Sequence, residues 1–252
     1  MSDNLQPHGS DDATLAQPLF APVKRRSFFM YAGATAGAAA LVLAGCSKDA
    51  VTPTVNLPAG NTTNANGSIS LGSGDVGVLN FAYALEQLEA DFYSKVVAQS
   101  QGVLSAAEYA YFQQVAKHEA IHRDFFKAAL TRDAGSQVLR NLVFKYPAST
   151  FTDRATLLAT AQAFEDLGVA AYNGAGKLLK SADYLLLAGK IVSVEARHAA
   201  YIRNLVTPGS FAADDQVDNS GLDMKKTPVE VLAAAQTFIT EKLDGSTVGV
   251  NA

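Results

Sequence analysis

Apolar residues recur at three- and four-residue spacing from about residue 75 to 206, the pattern that lines one side of an α-helix. Four long helical segments follow from it, at about 75–100, 105–132, 153–180 and 182–206. Asp75, Ser105, Asp153 and Ser181 stand at their starts as candidate N-caps, whose side-chain oxygens satisfy free amides of a first turn. The connections at 101–104 and near 181 are short, so the first two helices and the last two are antiparallel neighbours. The middle connection, about 133–152, holds Gly135 and Pro147 and is long for a loop inside one domain. A crossover joining two helical hairpins accounts for it. A fifth helix, about 228–243, follows Thr227-Pro228, proline being well placed in a first turn. Its Val231, Leu232, Ala235, Phe238 and Ile239 share one side, as expected of a helix that covers the bundle. Residues 208–226 and 244–252 read as loops. The expected fold is all-α: a four-helix bundle over 75–207 with a long crossover between helices 2 and 3, then a loop and C-terminal helix over 208–252.

The pattern before residue 75 is different. Lys24-Arg25-Arg26 precede the weakly hydrophobic, Ala- and Gly-rich run YAGATAGAAALVLAG, which ends at Cys46. Arg25 and Arg26 before such a run read as a twin-arginine export signal over 1–46. Leu43-Ala44-Gly45-Cys46 resembles a bacterial lipobox, which implies a lipid on Cys46 and attachment to a membrane. An uncleaved anchor helix and a buried core thiol are the alternatives. Residues 47–74 are rich in Thr, Asn, Gly, Ser and Pro and read as a flexible linker that holds the bundle off the membrane. The expected location is the cell envelope, periplasm included, outside the cytoplasmic membrane.

Composition narrows the chemistry. Hydrophobic residues are 48% of the 252 and charged residues 17%, enough for a packed core. A net charge of -4 argues against nucleic-acid binding, which needs a basic footprint. A single cysteine excludes an intramolecular disulfide and any cysteine-based zinc site.

The chemistry rests on a repeat. The second helix carries Glu119-Ala-Ile-His122 and the fourth Glu195-Ala-Arg-His198, each pairing Glu and His on one helix face. The first carries Glu86 with Tyr93 seven residues on, and the third Glu165 with Tyr172 seven residues on. Glu165 follows Glu86 by 79 positions, and Glu195 follows Glu119 by 76. Each acidic group interrupts an apolar stripe: Leu79, Ala82 and Val97 accompany Glu86, and Ala188, Ile191 and Ile202 accompany Glu195. A buried carboxylate must be protonated, hydrogen-bonded or metal-bound. Four ionised glutamates would balance two divalent cations; the alternative is a metal-free bundle whose carboxylates are protonated or hydrogen-bonded.

Residues 75–207 resemble the ferritin-like superfamily, and in particular exported bacterial ferritin-like proteins related to plant desiccation-associated proteins. The resemblance implies six ligands, Glu86, Glu119, His122, Glu165, Glu195 and His198, around two metal ions, iron or manganese. Glu89, one turn from Glu86, is a rival ligand; Glu86 is preferred because the repeat sets Gly168 opposite Glu89. Glu89, Tyr93, Tyr172 and His118 are expected around the ligands. The two tyrosines are candidates to hydrogen-bond ligands across the bundle or to take part in redox steps, with core packing as the alternative. His118 aligns with Val194 in the repeat and is offset from the ligand face; Arg123 and Arg197 are expected in surface pairs.

The family implies a redox-active protein acting on dioxygen, peroxide or metal ions, with the catalytic residues undefined. No Cys-x-x-Cys module is present, so an electron donor would be external. A metal-binding or storage module without turnover is the second reading. A non-enzymatic envelope or stress-response protein that keeps only the bundle is the third. A lipid tether suits a monomer or small oligomer better than a storage cage.

Overall fold

A computed structural model describes residues 62–250. The expected export signal, with Arg25, Arg26 and Cys46, and most of the expected linker lie outside the described residues. Five α-helices and one two-stranded sheet are present among the described residues. They are β1 (Ile69–Ser70), α1 (Gly74–Gln99), α2 (Ala106–Ala134), α3 (Arg154–Ala175), α4 (Ala182–Val206), α5 (Pro228–Ala235) and β2 (Leu243–Asp244). Helices α1 and α2 form one hairpin, α3 and α4 the other, and the crossover 135–153 joins them. This is the all-α bundle expected from the periodicity. Among the described residues no helix is long and apolar enough to cross a membrane.

Local chemistry sets the helix ends. Ser105 and Glu108 form a reciprocal capping box at the start of α2. The Asp153 carboxylate accepts from the Thr156 amide (2.7 Å), and the Ser181 hydroxyl from the Tyr184 amide (3.3 Å). Asp75 departs from expectation. Ser73 precedes α1 as its N-cap, and Asp75 instead accepts from the Lys180 and Ser181 amides (2.7 and 2.9 Å). It therefore ties the first hairpin to the loop between α3 and α4. Helix α3 ends at Ala175, not near 180, and passes into a 3-10 turn over Gly176–Leu178.

Helix α1 is the central element. Leu79, Phe81, Leu85, Leu88 and Phe92 are buried around its circumference, so it has no water-facing side along most of its length. Its buried polar residues hold the crossover. Asn80 donates to the Gln137 carbonyl (2.8 Å) and accepts from the Leu139 amide (2.9 Å), and Gln87 accepts from the Leu142 amide (2.9 Å). Each is nearly solvent-free, so these bonds offset the cost of burying an amide. The crossover is thus pinned along its length, which is how it can be long without being loose.

Two expectations need correction. Residues 68–72, read as part of a flexible linker, are packed: Ser68, Ile69 and Leu71 are buried, and β1 pairs in parallel with β2 near the other end of the chain. The fifth helix stops at Ala235 instead of 243. Beyond it Phe238 and Ile239 turn onto the crossover. The Lys145 amide donates to the Phe238 carbonyl and the Thr240 amide to the Val143 carbonyl, both at 2.9 Å. Backbone pairing with a segment far away in sequence therefore overrides the helical pattern.

The 208–226 excursion is fixed to α3 and α4. Buried Arg203 donates to Asp166 (2.8 Å) and to both oxygens of Asp215 (2.9 and 2.7 Å), a fork geometry that arginine suits. The Lys226 amide donates to the Ala170 carbonyl (2.9 Å), and Gly174 makes room for it, since a side chain there would collide with the Lys226 carbonyl.

Candidate metal centre

The six expected ligands converge midway along the bundle. Glu86 comes from α1, Glu119 and His122 from α2, Glu165 from α3, and Glu195 and His198 from α4. All four carboxylates are fully buried, and His122 and His198 keep 9% and 4% of their surface. The ligand-type atoms fall into two overlapping groups, each within 4.8 Å: Glu86, Glu119, His122 and Glu195, then Glu119, Glu165, Glu195 and His198. Glu119 and Glu195 belong to both. Each Glu-x-x-His pair thus contributes its carboxylate to the centre of the cluster and its imidazole to one flank.

The imidazoles crowd this centre. His122 Nδ1 lies 2.8 Å from Glu195, 3.2 Å from Glu119 and 3.6 Å from Glu86. His198 Nδ1 lies 2.9 Å from Glu119, 3.5 Å from Glu165 and 3.9 Å from Glu195. Even so, Glu86 Oε2, Glu119 Oε1, Glu165 Oε2, both oxygens of Glu195, and His198 Nδ1 have no aligned hydrogen-bond partner among the described residues. Native interiors rarely leave so many buried polar atoms unpaired at one place. The unpaired atoms belong to oxygen and nitrogen donors that suit a hard or borderline divalent cation, so the residues present fit a metal site.

The electrostatics agree. Burial pushes the Glu86 carboxyl well up, and the charges of Glu195 and Glu119 push it further. Burial and the Glu119 charge raise Glu195 to about 8. For His122 burial pulls downward, but Glu119, Glu195 and Glu86 outweigh it and hold the imidazole up to about 11. His198 behaves alike, its loss from burial outweighed by Glu119 and Glu165, and stands at about 10. Without a metal, the cluster holds protons where positive charge is needed.

The surrounding residues divide clearly. The Tyr93 hydroxyl donates to Glu165 Oε1 (2.5 Å), and the Tyr172 hydroxyl donates to Glu86 Oε1. Each repeat's tyrosine therefore orients the other repeat's carboxylate. This leaves the second oxygen of each carboxylate turned to the cluster. His118 is exposed, yet its Nδ1 lies 3.0 Å from His198 Nε2 with the rings stacked. It thus contacts the side of His198 that faces away from the carboxylates. Glu89 is buried, and its Oε1 lies 3.0 Å from where a Cβ on Gly168 would stand, so this carboxylate fills the space the missing side chain leaves. Burial and the neighbouring carboxylates push it well up, and it belongs to neither ligand group. Arg123 pairs with Asp124 at the surface.

Sequence reasoning did not find Tyr111. Its hydroxyl donates to the His198 carbonyl (3.1 Å) and its ring packs on Tyr201, bracing α4 beside the site. The contact joins residues 87 positions apart, and no local pattern signals it.

Fold and site together define a four-helix bundle with an internal carboxylate–histidine cluster able to bind metal. The ferritin-like domain family matches residues 74–208, and the chain belongs to that family. No curated protein matches the chain.

Proposed function

We propose that this protein binds two divalent ions, iron or manganese, inside the bundle and is redox-active towards dioxygen, peroxide or metal ions. The observation that carries the reading is the pair of overlapping ligand groups sharing Glu119 and Glu195, with unpaired donor atoms in both. Glu86 and His122 would hold one ion, Glu165 and His198 the other, and Glu119 and Glu195 would serve both. Iron or manganese held by these residues would supply electrons to an oxidant. The chain's own residues bind and orient: Tyr93 and Tyr172 fix the flanking carboxylates, and the apolar shell of Phe112, Val115, Phe126 and Ile202 limits water. Electrons would come from an external donor. The twin-arginine pattern at Arg25 and Arg26 and the lipobox ending at Cys46 support export and a lipid anchor outside the cytoplasmic membrane.

Stopped-flow mixing of the Fe(II)-loaded protein with peroxide or dioxygen tests the redox reading. Oxidation much faster than that of Fe(II) in buffer is expected with at least one oxidant. Rates equal to the buffer rate with both would leave a binding module without turnover.

The tyrosine bonds carry their own expectation. Tyr93→Phe should weaken binding at the Glu165 flank and Tyr172→Phe at the Glu86 flank, each about tenfold or more, with the fold retained. Chelator competition with Mn(II) measures this. Unchanged affinity in both variants would show that the hydroxyls serve packing alone.

A further inference from the structure

One end of the bundle is incompletely filled. A cavity of about 20 Å³ lies where the first turns of α1 and α4 meet the last turns of α2 and α3. Ala82, Phe126, Ala175 and Leu187 are among its walls. Ala82 stands one helical turn before Glu86, and Phe126 one turn after His122. The cavity therefore adjoins the Glu86–His122 flank of the cluster along the bundle axis. Its outer lining, Tyr184, Leu187 and Ala188, is only half-buried, so this end is the side nearest solvent.

Its chemistry excludes most occupants. The only polar side-chain groups in the lining are the hydroxyls of Tyr172 and Tyr184. Tyr184 donates to Asp133 and accepts from Arg132, and Tyr172 donates to Glu86, so the Tyr172 oxygen, as an acceptor, is the one side-chain partner left in the lining. A buried water needs two to four polar partners, and cavities without them stay dry and take apolar atoms such as xenon. Peroxide would be as poorly satisfied as water. The volume admits about one small molecule, which excludes an organic substrate.

We propose that this cavity is a binding site for dioxygen, which it delivers to the Glu86–His122 flank of the centre. The proposal rests on the metal-centre reading for its purpose. The existence of the site can be tested without metal.

Two measurements on the full chain decide it. Crystals of the metal-free protein under xenon pressure should show one xenon atom among Ala82, Phe126 and Ala175. In the Fe(II)-loaded protein, Ala175→Leu should lower the ratio of oxidation rates with dioxygen and with peroxide at least fivefold. Ala188→Phe, at the half-buried rim, should do the same, and it serves where the inner variant does not fold. Absence of xenon there, or variants that slow both oxidants equally or neither, would overturn the proposal. If the unsubstituted chain takes up no iron, the metal-centre reading fails and the proposal with it. Xenon density in the same crystals would show that the failure lies with the metal and not with the cavity.

Discussion

Glu119→Ala is expected to abolish uptake of both metal ions, whereas Glu165→Ala should remove one and leave the other weakened. The asymmetry comes from the overlap of the two ligand groups. Glu119 and Glu195 appear in both, while Glu86 and His122 serve only one, and Glu165 and His198 only the other. On the proposed reading, losing a shared carboxylate would take a ligand and a negative charge from each ion at once. Losing a flanking one leaves Glu86, Glu119, His122 and Glu195 in place. Metal per chain after anaerobic loading and desalting, read by elemental mass spectrometry, separates the two. Near two for the unsubstituted chain, near zero for Glu119→Ala and near one for Glu165→Ala is the expected series. Equal losses in the two variants would contradict the assignment of Glu119 to both sites.

The metal-free protein should lose stability as pH rises from 6 to 8. Burial raises Glu86, Glu89 and Glu195 above the ordinary value of 4.5, with Glu195 at about 8. In the unfolded chain these groups ionise near 4.5, so over this window the folded state holds protons that the unfolded state has released. The stability tied to them is fully present below 4.5 and is lost as pH climbs through the folded values. His122 and His198, held up to about 11 and 10, act in the same direction once pH exceeds 6.5. Glu119 is shifted down and acts with opposite sign, but only below its ordinary 4.5, outside this window. Each such proton contributes about 1.4 kcal/mol per pH unit. One proton over two units is about 3 kcal/mol, or a fall of roughly 6–12 °C in Tm, and this is the least expected, because several of these groups hold protons at once. Saturating Mn(II) should flatten or reverse the slope, because the ions replace the protons and bind better as pH rises. Thermal unfolding with chelator, and then with Mn(II), checks both. A metal-free Tm that stays flat or climbs would contradict the charge state assigned to the cluster.

The hairpin repeat was legible because it is local. Glu86 with Tyr93, Glu165 with Tyr172 and the two Glu-x-x-His pairs each lie within two turns of one helix, where spacing determines the shared face. The starts of α2, α3 and α4 were legible for the same reason, through Ser105, Asp153 and Ser181. What connects distant segments was not. Asp75 reads as a helix cap until the loop 105 residues away comes to its carboxylate. Phe238 and Ile239 fit a helix face until the crossover offers them backbone partners. Ile69 and Leu71 sit among linker-like residues, and their burial depends on a strand near residue 243. Within the site, the spacing brought six residues together but could not say that Glu119 and Glu195 are shared. Nor could it show that each tyrosine reaches the carboxylate of the opposite repeat. These are consequences of how the hairpins pack. The pairing of Glu89 with Gly168 lies between the two kinds, since the repeat alignment set them opposite each other and the structure puts them in contact.

Anomalous diffraction from crystals soaked anaerobically in Mn(II), collected at the manganese edge, tests the central claim most directly. Two peaks inside the bundle are expected, one among Glu86, Glu119, His122 and Glu195, the other among Glu119, Glu165, Glu195 and His198. A bundle interior without anomalous density, in crystals whose surface sites bind manganese, would contradict the account and leave the buried carboxylates as protonated groups of a metal-free core.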